Sequence, residues 1–163
     1  MQSLQGTDFG DPAAVLKQLN QVFPMERQNN LIFTIWYGVF ERSARRLTYA
    51  SGGHPPAVLI GDSPNAMQQL GTGGRVLGCD PAAEFRSASC EVKRGSRLYV
   101  FSDGAYEISR LNGTTAHLED LLRQLDLPVS PGQSKLDDLV KWAQTIGGQT
   151  SLEDDMSILE IEL

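Results

Sequence analysis

The hydrophobic period of this chain changes after Asp103, and that change limits what it can fold into. Downstream, Leu118, Leu121, Leu122 and Leu125 repeat at i, i+3, i+4 and i+7. That spacing predicts a helix with one buried face. A second helix opens at Ser134, with Asp137 three residues on as an imperfect capping box. Its apolar positions are Leu136, Leu139, Val140 and Ala143, and Gly147 ends it. The chain closes with Met156 to Leu163, where Leu159, Ile161 and Leu163 alternate with Glu160 and Glu162. This predicts a last strand with one buried face.

Upstream of Asp103 the pattern is different. Asp11-Pro12 reads as an N-cap followed by proline at the first helical position. Val15, Leu19 and Val22 carry that helix to about Phe23. Thereafter the segments are short and β-type. Leu31 to Phe40 is nearly continuously apolar, which predicts a central strand covered on both faces. Arg46 to Ala50 alternates as its partner. Ala57 to Ile60 and Met67 to Leu70 flank a turn at Gly61 to Asn65 and predict a hairpin. The stretch from Gly71 to Ala83 is glycine-rich and irregular. Phe85 to Val92 leads through Lys93-Arg94-Gly95 into the apolar run Leu98 to Phe101, again hairpin-like. Runs of strands with segregated helices are the pattern of an α+β domain.

A chain of 163 residues fits one domain, 1–163, and can bury a core. Its hydrophobic content of 40% and charged content of 21% suit a globular protein. A net charge of −6 gives no electrostatic footprint for nucleic acid or anionic lipid. Cys79 and Cys90 have no CxxC spacing and no paired histidines, which argues against zinc. They read as a reduced pair, although two cysteines leave a disulfide open. No apolar stretch is long enough to span a bilayer, and the first eleven residues lack the pattern of a signal peptide. The expected location is therefore cytoplasmic, with the first ten residues flexible.

Two acidic features lie at strand ends. Asp103-Gly104 follows Leu98 to Phe101, and Glu153-Asp154-Asp155 precedes the last strand. If those strands are antiparallel neighbours, the carboxylates meet at one edge. Like charges so placed repel unless a cation neutralises them. Oxygen-only donors suit Mg²⁺ or Mn²⁺, and a cation at such a site lowers the pKa of water. Asp-Gly is also an ordinary turn dipeptide and Glu-Asp-Asp an ordinary solvated loop, so the residues alone leave both readings open.

Four blocks resolve more. FTIWYGVFERSARRLTYASGGHPPAVLI, GTGGRVLGCDPAAEF, GSRLYVFSDGAYEIS and LEDDMSILEIEL occur in this order, behind the helix DPAAVLKQLNQVF. Together they resemble the bacterial SpoIIE-like branch of the metal-dependent serine/threonine phosphatases (PPM, also called type 2C). The resemblance covers nearly the whole chain from Asp11. It implies an α-β-β-α sandwich, two stacked antiparallel sheets flanked by helices. It implies in-line attack on phosphoserine or phosphothreonine by water activated at a binuclear Mn²⁺ or Mg²⁺ site, with no phosphoenzyme. Asp103 matches the metal-binding aspartate of the family's Asp-Gly block, and Asp154 matches the later metal ligand of its Asp-Asp-Met-Ser block. Asp155 holds the neighbouring position, Asp or Asn in relatives, and is expected behind the ligands or as a loop cap.

The family's earlier block, of the form Asp-Val-Ser-Gly-His-Gly, supplies an aspartate that bridges two metals. Nothing here matches it, so the expectation is the C-terminal portion of such a domain, incomplete at its N-terminus. Asp8-Phe9-Gly10 has the wrong spacing and no strand before it, and the kinase motifs that would accompany this tripeptide are missing. The family's architectures imply an output domain in bacterial signal transduction, behind a receiver or sensor domain as in RssB-like response regulators. They also imply a phosphoprotein substrate such as an anti-sigma-factor antagonist, with a homodimer left open. The alternative is an inactive phosphatase-like domain that serves as a protein-binding adaptor.

The remaining singled-out residues read as structural. His54, in Gly-Gly-His-Pro-Pro, could meet phosphate but is expected to make a structural hydrogen bond. His117 is expected at the surface. Gly71-Thr72-Gly73-Gly74 has neither the helix nor the Lys-Ser/Thr of a P-loop. Arg45-Arg46 reads as a solvated turn, and Trp36 and Trp142 as core.

Overall fold

The computed structural model describes residues 4, 6–61, 66–148 and 155–163. Helix α1 spans Pro12–Val22, α2 Leu118–Asp126 and α3 Lys135–Gly147. The strands are β1 (Ile35–Glu41), β2 (Arg46–Gly52), β3 (Ala57–Ile60), β4 (Met67–Leu70), β5 (Ala88–Glu91), β6 (Arg97–Phe101) and β7 (Ile158–Glu162). They form a three-stranded sheet of order β1-β2-β5 and a four-stranded sheet of order β4-β3-β6-β7. The α+β class and the two-sheet plan are those expected. Two compact units divide the chain, residues 1–98 with 162–163, and residues 99–161.

In the first unit Asp11 caps α1 as expected, its carboxylate accepting from the Ala13 amide at 3.0 Å. Val15 and Leu16 of α1 are buried, and the helix packs over β2. Asn20 is buried too, and both the nitrogen and the oxygen of its amide are bonded. It donates to Asp80 O and accepts from the Gly78 amide, both at 2.8 Å. Paired this way, a buried polar side chain fastens a loop to a helix without desolvation loss.

The central strand of the first sheet is β2, not the Leu31–Phe40 run. Leu47, Tyr49, Ala50 and Ser51 are buried, and β2 pairs antiparallel with both β1 and β5. Leu31 and Ile32 are 68% and 50% exposed. Asn29 and Asn30 both have positive φ (54° and 61°), and the Leu31 amide donates to Gln28 O. A turn therefore occupies the start of the apolar run, and the strand begins only at Ile35. The β3–β4 hairpin forms as expected, Ala57 opposite Leu70 and Ile60 opposite Met67.

The expected β5–β6 hairpin does not form, because those strands belong to different sheets. The Val92 amide is held by Arg45 O and the Gly95 amide by Leu163 O. The intervening turn thus passes the chain from the partner of β2 to the partner of β7. Contacts Leu163 N to Ser96 O and Ser102 N to Ser157 O show β6 and β7 running antiparallel.

In the second unit the two helices match the sequence closely. The Ser134–Asp137 capping box is complete: Ser134 Oγ accepts from the Asp137 amide at 3.1 Å and Asp137 Oδ2 from the Ser134 amide at 3.1 Å. Gly148, with φ +65°, supplies the left-handed cap one residue beyond Gly147. Val140 faces solvent (41% exposed), and buried Lys135 takes an inward position instead. Its ammonium donates to the carbonyls of Gln124 in α2 and of Leu127, the residue that caps it, where a cation also suits the helix dipole. On β7, Leu159 is 55% exposed and Ile161 and Leu163 only half-buried. The expected buried face is thus only partly covered, as suits a strand at the end of its sheet.

Candidate functional site

Asp103 stands where β6 ends. Buried Tyr99 and Phe101 fix the strand below it. Ser102 is still extended (φ −77°, ψ 165°), and Asp103–Ala105 then turns as a short 3-10 helix. The carbonyl of Asp103 accepts from the Tyr106 and Glu107 amides, both at 2.9 Å, and its Oδ1 accepts from the Gly104 amide at 3.0 Å. The carboxylate is solvent-exposed, anchored by its own turn.

The late acidic loop meets this turn through its backbone. Ser102 Oγ donates to Asp155 O at 3.2 Å and accepts from the Ser157 amide at 3.0 Å, while Ser102 N donates to Ser157 O at 3.0 Å. A Cβ on Gly104 would lie 2.6 Å from Asp155 O. The glycine is there because another backbone passes over it. Met156, next in the chain, packs against the Ile108, Ala116 and Ala143 cluster. Both Asp103 and Asp155 are exposed.

Asp154, the other expected metal ligand, lies outside the described residues, as does Glu153. Among the described residues no group of three His, Cys, Asp or Glu could hold a metal ion. The donor chemistry at Asp103 suits a hard divalent cation: an exposed carboxylate, with the backbone of Asp155 bonded to the adjacent Ser102. Tyr106 borders the turn. Burial, then the charges of Glu107 and Asp103, pushes its phenol above the ordinary value, so it stays protonated at neutral pH.

Sequence reasoning singled out Asp103 and missed Ser102 and Gly104 as the residues that hold it against the loop. The signal was the Ser-Asp-Gly triplet, since a hydroxyl and a missing side chain flank the acid.

The other singled-out residues hold structure. His54 Nδ1 lies 2.8 Å from Pro55 O, the expected structural bond. His117 is exposed at the start of α2, where its amide donates to Asp120 Oδ2 at 3.0 Å. Around Gly71–Gly74, Thr72 and Ser51 exchange bonds, each amide donating to the other's hydroxyl at 2.9 Å. The Gly53 amide donates to Gly74 O, so Thr72 and Gly74 are tied to the end of β2 and the residue after it. Arg45 departs from the solvated reading. Its guanidinium donates to Val92 O at 3.0 Å and Lys93 O at 2.7 Å and lies 5.0 Å from the Phe40 ring centre. Arg46 is exposed as expected. Trp36 and Trp142 are half-buried rather than core. Trp36 stacks on Tyr49 and donates to Leu70 O at 2.7 Å. Cys79 and Cys90 are free thiols. No helix among the described residues is long and apolar enough to cross a membrane.

Comparison with known proteins agrees with this geometry. A family model for stage II sporulation protein E (SpoIIE) matches residues 2–163. Phosphoserine phosphatase RsbU of Bacillus subtilis (strain 168) is 30% identical over 113 residues, 69% of this chain and 33% of RsbU. The SiaA-PP2C domain of Pseudomonas aeruginosa superposes with a TM-score of 0.78 at 19% identity, over 94% of this chain and 61% of that one. The catalytic domain of serine/threonine protein phosphatase PstP, solved with two manganese ions, gives a TM-score of 0.62 at 18% identity, over 93% of this chain and 69% of its own. The chain therefore spans about a third of RsbU's length, and the two structures share its α+β fold of two sheets with helices. The family match runs the length of the chain and takes in both acidic blocks: the chain belongs to the SpoIIE family.

Proposed function

We propose that this chain supplies the late carboxylates, Asp103 and Asp154, of a metal-dependent phosphatase that acts on phosphoserine or phosphothreonine in a signalling protein. The observation that carries the reading is the clasp of Asp155 onto Ser102 and Gly104. It fastens the backbone at Asp155 to the strand end that bears Asp103. PstP, of similar fold, binds manganese, which supports Mn²⁺, with Mg²⁺ as its alternative. Such a cation would supply positive charge for the phosphoryl oxygens and for water activation. The chain's own part is to hold Asp103 by its turn and Asp155 by its backbone.

RsbU is a phosphoserine phosphatase, which supports a phosphoprotein substrate such as an anti-sigma-factor antagonist. Residues 1–163 then act as one domain, behind a receiver or sensor, in the cytoplasm. The second reading is an inactive phosphatase-like domain that serves as a protein-binding adaptor. Hydrolysis of a phosphoserine peptide with and without Mn²⁺, by the complete protein and its Asp103→Asn variant, separates the two. Mn²⁺-dependent turnover lost in the variant supports the enzyme, and equal turnover in both removes Asp103 from the site.

A further inference from the structure

We propose that the turn between β1 and β2, together with the turn after β5, forms a docking surface for an acidic segment of a partner protein. Arg42, Arg45 and Arg46 lie in or next to the first turn and Lys93 and Arg94 in the second, in a chain whose net charge is −6. Arg45 joins the two. Its carbonyl accepts from the Val92 amide at 2.8 Å, and its guanidinium donates to Val92 O and Lys93 O. It does so from a left-handed backbone, with φ 51°. A non-glycine residue keeps such a conformation only where its surroundings over-determine it. Arg45 and Val92 are 47 residues apart in sequence, yet their turns make one preformed surface.

The excess charge sits on three side chains. Arg46 stands opposite Glu41 of β1 and Glu91 of β5, so carboxylates flank it on both sides of the ladder. A further acid, Glu162, precedes Leu163, whose carbonyl takes the Gly95 amide. Arg42, Lys93 and Arg94 are exposed, and among the described residues none of them makes an ion pair. Glu41, the acid beside Arg42, accepts from Ser43 Oγ at 3.2 Å instead. Exposed cations of this kind steer an anionic partner and speed its encounter, and the arginine fork matches a carboxylate. The rest of the chain selects the partner. A long polyanion or an anionic membrane would meet the excess acid elsewhere on this chain and be repelled. A short run of Asp and Glu side chains needs only these two turns, and their locked geometry lowers the ordering cost of binding. The surface is independent of Asp103 and of any cation there.

The test titrates a hexaglutamate peptide into the isotope-labelled 163-residue chain and follows its amide resonances. At low salt the shifts should concentrate in residues 42–46 and 92–95, and they should vanish at about 0.5 M salt, where exposed charges are screened. Replacing Arg42, Lys93 and Arg94 together by Gln removes three charges and no bond of the fold. It should weaken the peptide about tenfold, the scale of losing a few exposed ion pairs, with the circular dichroism spectrum unchanged. Lys17→Gln with Arg86→Gln, which removes exposed charge elsewhere in the same unit, should leave binding as it was. Equal weakening by both variants, or wild-type shifts spread over all basic residues, would reduce the effect to net charge and overturn the site. Tighter binding of these turns to a single-stranded oligothymidylate, or to vesicles of phosphatidylserine and phosphatidylcholine, would overturn the choice of a protein segment. No shift at low salt overturns the proposal outright, and neither result bears on the phosphatase reading.

Discussion

The carbonyl oxygen of Asp155 stands 2.6 Å from the point that a Cβ on Gly104 would occupy. The contact is with backbone, which cannot rotate aside as a long side chain can. Gly104→Ala must therefore shift the 155–156 segment or the Asp103 turn. Overpacking of this kind costs about 1–3 kcal/mol. We expect a lower urea midpoint at unchanged slope, together with faster exchange at the Ser157 amide. A midpoint equal to wild type would show that the two backbones are not held so close.

Acid should weaken the second unit through Asp120. Its carboxylate accepts from the His117 amide and from Arg110 Nη2 at 2.6 Å, with Arg123 at 3.5 Å. The His117 bond first, and then Arg110, holds this acid below its ordinary value of 3.8. A folded-state pKa below the unfolded one means the folded form binds its proton less readily. The stabilisation is complete above about pH 4 and is lost as pH falls through the lowered value. Asp137 and Asp138 shift the same way through Ser134 and Ser130. Melting temperature measured from pH 7 to pH 3 should fall steeply below pH 4, and Asp120→Asn should flatten that fall. A variant profile parallel to wild type would discount the His117 and Arg110 bonds.

Arg45 offers a test in the first unit. Its backbone is left-handed (φ 51°) while its guanidinium bonds Val92 O and Lys93 O. Arg45→Ala removes the bonds and keeps the strain, at a cost of about 1–2 kcal/mol for a half-exposed charged donor. Arg45→Gly removes both, and relief of the left-handed conformation returns up to about 1 kcal/mol. Glycine should therefore be the milder substitution in thermal melts. The reverse order would mean that the turn carries no strain.

Legibility in the sequence follows from what each residue's role depends on. The α1 cap at Asp11 and the Ser134–Asp137 box were readable because both partners lie within three residues. The β3–β4 hairpin was readable because its turn and its strands are adjacent. The centrality of β2 was not, since it depends on pairing with β5 and on packing against α1, both far away in sequence. The Leu31–Phe40 run misled because hydrophobicity does not reveal two asparagines in a left-handed turn. Arg45 looked like a solvated turn residue because its acceptors lie more than forty residues away. At the site, Asp103 was legible as an acid at a strand end. Ser102 and Gly104 were not, because their partner is backbone, and backbone carries no letter in the sequence.

Asp103→Asn is the substitution that bears most directly on function. The change is nearly isosteric, and an amide oxygen can still accept from Gly104 N, so the 3-10 turn should persist. What goes is the negative charge, the property that a hard divalent cation needs most. In the complete protein we expect Mn²⁺-dependent hydrolysis of a phosphoserine peptide to fall by at least about a hundredfold, the scale of losing a principal electrostatic element of a site. The circular dichroism spectrum and melting temperature should stay close to wild type. The 163-residue chain itself should bind Mn²⁺ weakly, because a few carboxylates leave most of the coordination to water. It should turn over the peptide slowly or not at all. Full activity in the complete Asp103→Asn protein would remove Asp103 from the metal site. Vigorous turnover by the 163-residue chain would mean that its own residues complete a site to which Asp103 and the acidic segment contribute only in part.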